Sequence, residues 1–260
     1  MSSRQSSDLA NLSGLSGRVA MVTGASTGIG RGTCQELSRR GCRLVVVARR
    51  AELLAELAAE LADITEVVTV PADLGRPPSA AEAVRAAAAR VNHIDILVNS
   101  AGGSRPLPVD ASDQEWDESF AINFHAGRRL TQLLLPAMRQ RGFGRIINIT
   151  GSSEAASMNA ASPAKAAVHA WSKALSREVA ADGITVNSIA PGRIHSEQID
   201  HRLHPDSSAR QAFIDANIPV GYFGEPSDVG HLVAFLSSEL GRYITGEVIH
   251  VDGGMRRFAF

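Results

Sequence analysis

Short apolar runs alternate along this chain with longer segments in which alanine and leucine recur at helical spacing. Val19–Thr23, Arg43–Ala48, Glu66–Val70, Ile94–Asn99, Gly144–Thr150, Thr185–Ala190 and Val248–Val251 are rich in β-branched residues and read as strands. Between them, Gly28–Arg40, Ala51–Ala62, Ser79–Val91, Asp113–Gln140, Pro163–Ala181 and Ser227–Ser237 read as helices. Leu44–Val47 and Ile146–Ile149 lack the strict alternation of a strand with one wet face, which implies cover on both sides. Strands and helices taking turns in this way predict an α/β fold, a doubly wound parallel sheet of about seven strands. At 260 residues the chain fits a single domain.

One stretch breaks the rhythm. Arg193 to Gly224 has no long apolar period and carries His195, His201, His204 and Pro205; an irregular insertion of this kind is expected to be a lid, with the substrate on its side of the molecule. The three histidines lack the carboxylate-plus-histidine pattern on one helix face that a zinc site would use, so no metal is expected. Met1–Gly14 is rich in Ser and Asn and reads as a mobile tail without the apolar core of a signal peptide.

Composition narrows the partners. The net charge is −1, which gives no reason to expect nucleic acid or an anionic membrane surface. No segment approaches the apolar length of a membrane span. Cys34 and Cys42 are the only cysteines and form no CxxC pair, so a reducing, cytoplasmic setting is expected.

Candidate chemistry begins at the first strand. Val19–Val22 runs into Thr23-Gly24-Ala25-Ser26-Thr27-Gly28-Ile29-Gly30 and then a helix. Glycines let the backbone pass close to a pyrophosphate, and a helix N-terminus offers it free N–H groups. A tight turn without a ligand would need the same glycines, so this motif alone leaves both readings open.

Further motifs follow in order. Asp73-Leu74, Asn99-Ser100-Ala101-Gly102, Asn123, Lys165, Pro191-Gly192 and Val251-Asp252-Gly253-Gly254 accompany the glycine turn. From about Leu15 onward the chain resembles the short-chain dehydrogenase/reductase family. The resemblance implies a Rossmann-type fold and a nicotinamide nucleotide held by Gly24, Ser26, Thr27, Gly28, Ile29, Gly30, Asp73, Leu74, Asn99, Ala101, Gly102, Lys165, Pro191 and Gly192. It also implies a homo-oligomer, a dimer or tetramer, formed through the helices 123–140 and 163–181. Leu130, Leu133, Leu134, Ala167, Val168 and Trp171 suit such an interface or the core equally well. The tail Arg256–Phe260 ends in aromatics that a neighbouring subunit would cover.

Ala48-Arg49-Arg50 closes the second strand where an NAD-binding chain would place a carboxylate for the ribose hydroxyl. Guanidinium groups there suit a 2′-phosphate. Arg49 and Arg50 therefore favour NADP(H) over NAD, the alternative being a solvated pair at a helix start.

The catalytic positions depart from the family's pattern. Asn123 and Lys165 match it. Glycine, Gly151, stands where the serine belongs, and Ala161 stands four residues before Lys165 where the tyrosine belongs. The chain's two tyrosines, Tyr222 and Tyr243, lie far downstream; Tyr222 is expected to pack before the last helix. The loop between positions 151 and 161 is also shorter than usual for the family, which points to linked divergence. Ser152 is the candidate hydroxyl, and Glu154, Asn159 or His195 are candidates for proton transfer. Ser162-Pro163 reads as a helix N-cap and first residue, leaving Ala161 outside. His169 lies one turn beyond Lys165, with packing its expected role. The expected activity is NADP(H)-dependent oxidoreduction of a small-molecule carbonyl or secondary alcohol. Non-redox proton chemistry, as in a dehydratase or isomerase, and nucleotide binding without turnover are the alternatives.

Overall fold

The computed structural model describes residues 14–151, 157–197, 199–204 and 206–258, with the side chains of positions 201 and 202 outside the description. The expected tail up to position 13 and the candidates Ser152 and Glu154 lie outside the described residues.

Seven strands form one sheet: β1 Val19–Thr23, β2 Arg43–Ala48, β3 Val67–Pro71, β4 Ile96–Asn99, β5 Gly144–Ile149, β6 Ile184–Pro191 and β7 Val248–Val251. Their order is β3-β2-β1-β4-β5-β6-β7 and every neighbouring pair is parallel. Chain order reverses between β1 and β4, so the carboxyl ends of these two strands open the crevice where such sheets bind ligands. Successive residues of each inner strand enter different cores: Ala20, Val22, Leu44 and Val46 on one face, Val19, Met21, Val45 and Val47 on the other. Cover on both faces explains why these strands are apolar throughout.

The helices are α1 Gly28–Ser38, α2 Ala51–Leu61, α3 Ser79–Ala88, α4 Asp113–Phe120, α5 Ala126–Arg141, α6 Ala161–Val179, α7 Ser207–Asn217 and α8 Pro226–Ser237. Three sequence expectations change. The long helix expected over 113–140 is divided by a π-helical turn, Ala121–His125, which contains Asn123. The segment 193–224, expected to be an irregular lid, is more regular than its sequence suggests. It carries a π-helical turn at Ile199–Leu203 and then α7, whose N-cap Asp206 accepts from Ala209 N at 2.7 Å. Its apolar period is short because it packs on a small cluster, Ile214, Ile218 and Phe223, with Ile199, Phe213 and Met255 partly buried against it. Finally, α6 begins at Ala161 rather than after it: Asn159 Oδ1 accepts from Ala161 N at 3.0 Å, and the helix starts two residues ahead of Pro163, the first residue that the Ser162-Pro163 signal predicts. Pro163 falls within the first turn, where a helix has no partner for the missing N–H.

Cys34 on α1 and Cys42 before β2 are buried free thiols. Burial pushes both up, Cys42 to about 12 with Asp95 adding to the effect. Asp95 itself is buried ahead of β4. It accepts from Val19 N at 2.9 Å and pairs with Arg18 and Arg141, tying β1, β4 and the end of α5 together. Among the described residues no helix is long and apolar enough to cross a membrane.

Candidate active site

The crevice is assembled by Thr23 at the end of β1. Its Oγ1 accepts from Ser100 N at 3.0 Å and Ala101 N at 2.9 Å, which draws the Asn99–Gly102 run against the glycine-rich turn. Two glycines in the turn are dictated by space and backbone. Gly24 has φ +66°, and a Cβ there would lie 2.8 Å from Ser100 O; a Cβ at Gly30 would lie 2.2 Å from Gly24 O. Ser26 is buried in the turn and Ile29 packs on the core beneath it. Thr27 caps α1 without a side-chain hydrogen bond, and the first turn of α1 holds no carboxylate. The leading N–H groups of α1 therefore stay available to an anion. This cradle fits the pyrophosphate of a dinucleotide.

Arg50 extends it. Its guanidinium donates to Thr27 Oγ1 at 3.3 Å and to Glu197 Oε2 of the lid at 2.9 Å. Arg49 beside it is exposed. Across β3, Asp73 is exposed with Oδ1 accepting from Gly75 N at 3.2 Å, and Leu74 is buried. Pro191 and Gly192 close β6 against β7: Gly192 N donates to Val251 O at 2.9 Å, and a Cβ at 192 would meet Asp252 Cα at 2.8 Å.

At the other end of the crevice, Asn123 Oδ1 accepts from Gly103 N at 3.0 Å while Nδ2 donates to Ser119 O at 3.0 Å. The π-helical turn thus holds the loop after β4, and a Cβ at Gly102 would lie 2.7 Å from Asn123 Oδ1. The Asn99 amide turns inward and donates to Asn148 Oδ1 at 2.8 Å, while Asn148 donates to Ser172 at 2.9 Å. Lys165 Nζ donates to Thr150 O at 2.8 Å, and burial without a compensating charge brings its pKa down to about 8. His169 meets Thr150 Oγ1 at 2.7 Å through Nε2, and its pKa is lowered, by burial first and then by His250 and Lys165. Thr150 was legible only as a strand end; its carbonyl and hydroxyl organise both helix residues.

Several candidates lie elsewhere. Asn159 is occupied by structure: beyond capping α6 it accepts from Arg105 N at 3.0 Å and donates to Ser104 Oγ at 2.6 Å. His195 binds Asp200 Oδ1 at 2.8 Å through Nδ1 and packs on Phe223, 5.6 Å between ring centroids, so these contacts stay within the lid. Tyr222 does not pack before the last helix as expected. It is 60% exposed and Tyr243 is 98% exposed; Phe223 takes the buried place. Ala161 is buried at the start of α6. Leu130, Leu134 and Val168 belong to the interior, Ala167 and Trp171 are half-buried, and Leu133 is at 43% exposure on the surface of α5. Among the described residues no three metal-ligating side chains converge. A cleft of about 250 Å³ lies between Arg193, Ile218, Tyr222 and Asp252, with Lys165 not among its lining residues.

Residues 24–256 match the family model described as enoyl-(acyl carrier protein) reductase. The chain belongs to the short-chain dehydrogenase/reductase family. It is 37% identical over 247 residues to the 3-oxoacyl-[acyl-carrier-protein] reductase FabG of Escherichia coli (strain K12), covering 92% of this chain and 97% of that protein. It is 38% identical over 245 residues to nodulation protein G of Rhizobium sp. (strain N33), covering 93% and 98%. Among solved structures, L-sorbose reductase from Gluconobacter frateurii, complexed with NADPH and L-sorbose, superposes with a TM-score of 0.89 at 30% identity, covering 95% of this chain and 99% of that one. The RhlG/NADP active-site complex of Pseudomonas aeruginosa gives a TM-score of 0.86 at 34% identity, covering 94% and 98%. The matching family model and several of the named relatives are reductases.

Proposed function

We propose that this family member is an NADP(H)-dependent oxidoreductase that interconverts a small-molecule carbonyl and a secondary alcohol, at a site that works without the tyrosine. The observation that carries the reading is Arg50 at Thr27, a guanidinium beside an open helix N-terminus. In this reading Gly24, Gly28 and Gly30 admit the pyrophosphate to the N-terminus of α1, Arg49 and Arg50 take the 2′-phosphate, and Lys165 meets the nicotinamide ribose. The bound nucleotide supplies hydride chemistry. Thr150 and Asn123 hold the walls of the crevice, and the lid over 193–224 closes its substrate side. The names of the relatives support a ketone, as a 3-oxoacyl thioester or a ketose. A homo-oligomer in a reducing cytoplasm completes the proposal, supported by exposed Leu133 and Phe258 and by the free buried thiols.

The test is direct. NADPH and NADH are titrated by fluorescence, and NADPH oxidation is then followed with 3-oxoacyl thioesters, ketoses and simple ketones, with product analysis. Tighter NADPH binding and a reduced product are expected. Product without net NADPH oxidation would instead mark non-redox proton chemistry. Tight binding without any product would mark a nucleotide-binding protein, the reading favoured by alanine at 161.

A further inference from the structure

At the two positions where the family's pattern places a serine and a tyrosine, this chain carries no hydroxyl. Position 151 is glycine, and a Cβ built there would lie 3.4 Å from Lys165 Cδ and 3.7 Å from its Nζ. Position 161, one turn before Lys165 on the same helix face, is alanine, and both tyrosines are on the surface. The lysine thus lies beside the space that a side chain at 151 would enter. We propose that Lys165 is itself the proton-transferring residue, delivering a proton from Nζ to the substrate's carbonyl oxygen with no tyrosine between them. The inference rests on the carbonyl-reductase reading above.

The local chemistry suits this role. An ammonium has three N–H donors. One is used on Thr150 O, which leaves two for a ribose hydroxyl and the substrate oxygen. Thr150 is held in place from β6, its N and Oγ1 both donating to Ile189 O, at 2.8 and 3.1 Å. Among the described residues, His169 on α6 is the titratable group beside the lysine, and His250 from β7 in turn acts on His169. Among the described residues no carboxylate pairs with Nζ. A lysine held near 8 is mostly ammonium at neutral pH yet releases its proton readily. With a bound reduced nicotinamide as the two-electron hydride source for the carbonyl carbon, Lys165 would give its proton to the oxygen and become the neutral amine. Water then returns a proton to Nζ. In the oxidative direction the neutral amine takes the hydroxyl proton.

The chain has two lysines, Lys165 and Lys173, and the second is exposed and paired with Glu247 at 3.1 Å. Protein labelled with 13Cε-lysine therefore gives two lysine signals without chemical modification. The expected result is one signal titrating near 8 and lost in Lys165→Arg, the other signal being assigned by its loss in Lys173→Arg. The kcat for reduction should fall with pH at the low midpoint. Lys165→Arg should lower kcat by about 100-fold or more, since arginine keeps the charge but holds its proton. If Lys165→Arg fails to fold by circular dichroism, coincidence of the wild-type NMR and kcat midpoints decides the matter. Full turnover in Lys165→Arg, or no lysine signal titrating near 8, overturns the inference and leaves the reductase reading standing. Wild-type protein that binds NADPH but reduces nothing overturns that reading and the inference with it.

Discussion

Arg50 is bound on both sides by groups that differ in what they ask of it. Thr27 Oγ1 keeps it at the nucleotide cradle, and Glu197 draws it toward the lid through a pair that is roughly half exposed at each end. An exposed pair contributes at most about 1 kcal/mol, so a phosphate should displace the carboxylate readily. Arg50→Ala is expected to weaken NADPH binding by roughly 10- to 100-fold with little change for NADH, measured by fluorescence titration. Glu197→Ala should strengthen NADPH binding by no more than about fivefold. Lys165 gives a residue-scale prediction of another kind. Its folded pKa, about 8, lies below the unfolded 10.5, so the unfolded chain binds more protons between those values. The lysine's contribution to stability therefore rises from about pH 8 to about 10.5, and below about pH 8 its buried charge opposes folding. Urea unfolding should show wild type gaining on Lys165→Met across that window, and constant differences outside it.

At the scale of elements, the joint between β1 and β4 matters most. Thr23→Val keeps the shape of the side chain but removes the acceptor for Ser100 N and Ala101 N. A loss of about 1–3 kcal/mol in urea unfolding is expected, with weaker nucleotide binding as the loop after β4 drifts from the cradle. The strands and the glycine turn were legible in sequence because burial on both faces and close backbone approach leave few alternatives at Val45, Val46, Gly24 or Gly30. What escaped were features set by single hydrogen bonds between distant segments. Asn159 moves the start of α6 past the Ser162-Pro163 signal. Asn123 sits in a π-helical turn that no periodicity distinguishes from the helix around it. The lid's helix was hidden because its apolar face meets only three buried residues, Ile214, Ile218 and Phe223. Lys165 and the glycine at 151 were readable as residues, but their mutual approach belongs to the fold.

For the whole molecule, Asp95 couples the two halves of the sheet beneath the crevice. Removing it strands Arg18, Arg141 and the Val19 N–H around one buried point. Asp95→Ala should cost about 3 kcal/mol, the lower end for a buried ion pair because both arginines are partly solvated; Asp95→Asn, which retains an acceptor for Val19 N, should cost less. Both are measured by denaturant midpoint at constant slope. The two cysteines carry this global coupling into a different observable. Cys34 lies on the helix against α8 and Cys42 at the foot of β2, and both thiols are buried with raised pKa. A thiol-directed reagent can meet them only when the sheet-and-helix layer parts. Labelling followed by mass spectrometry thus times the opening of the domain, and the slowing of that clock by added nucleotide measures how far the crevice and the layer behind it breathe as one body.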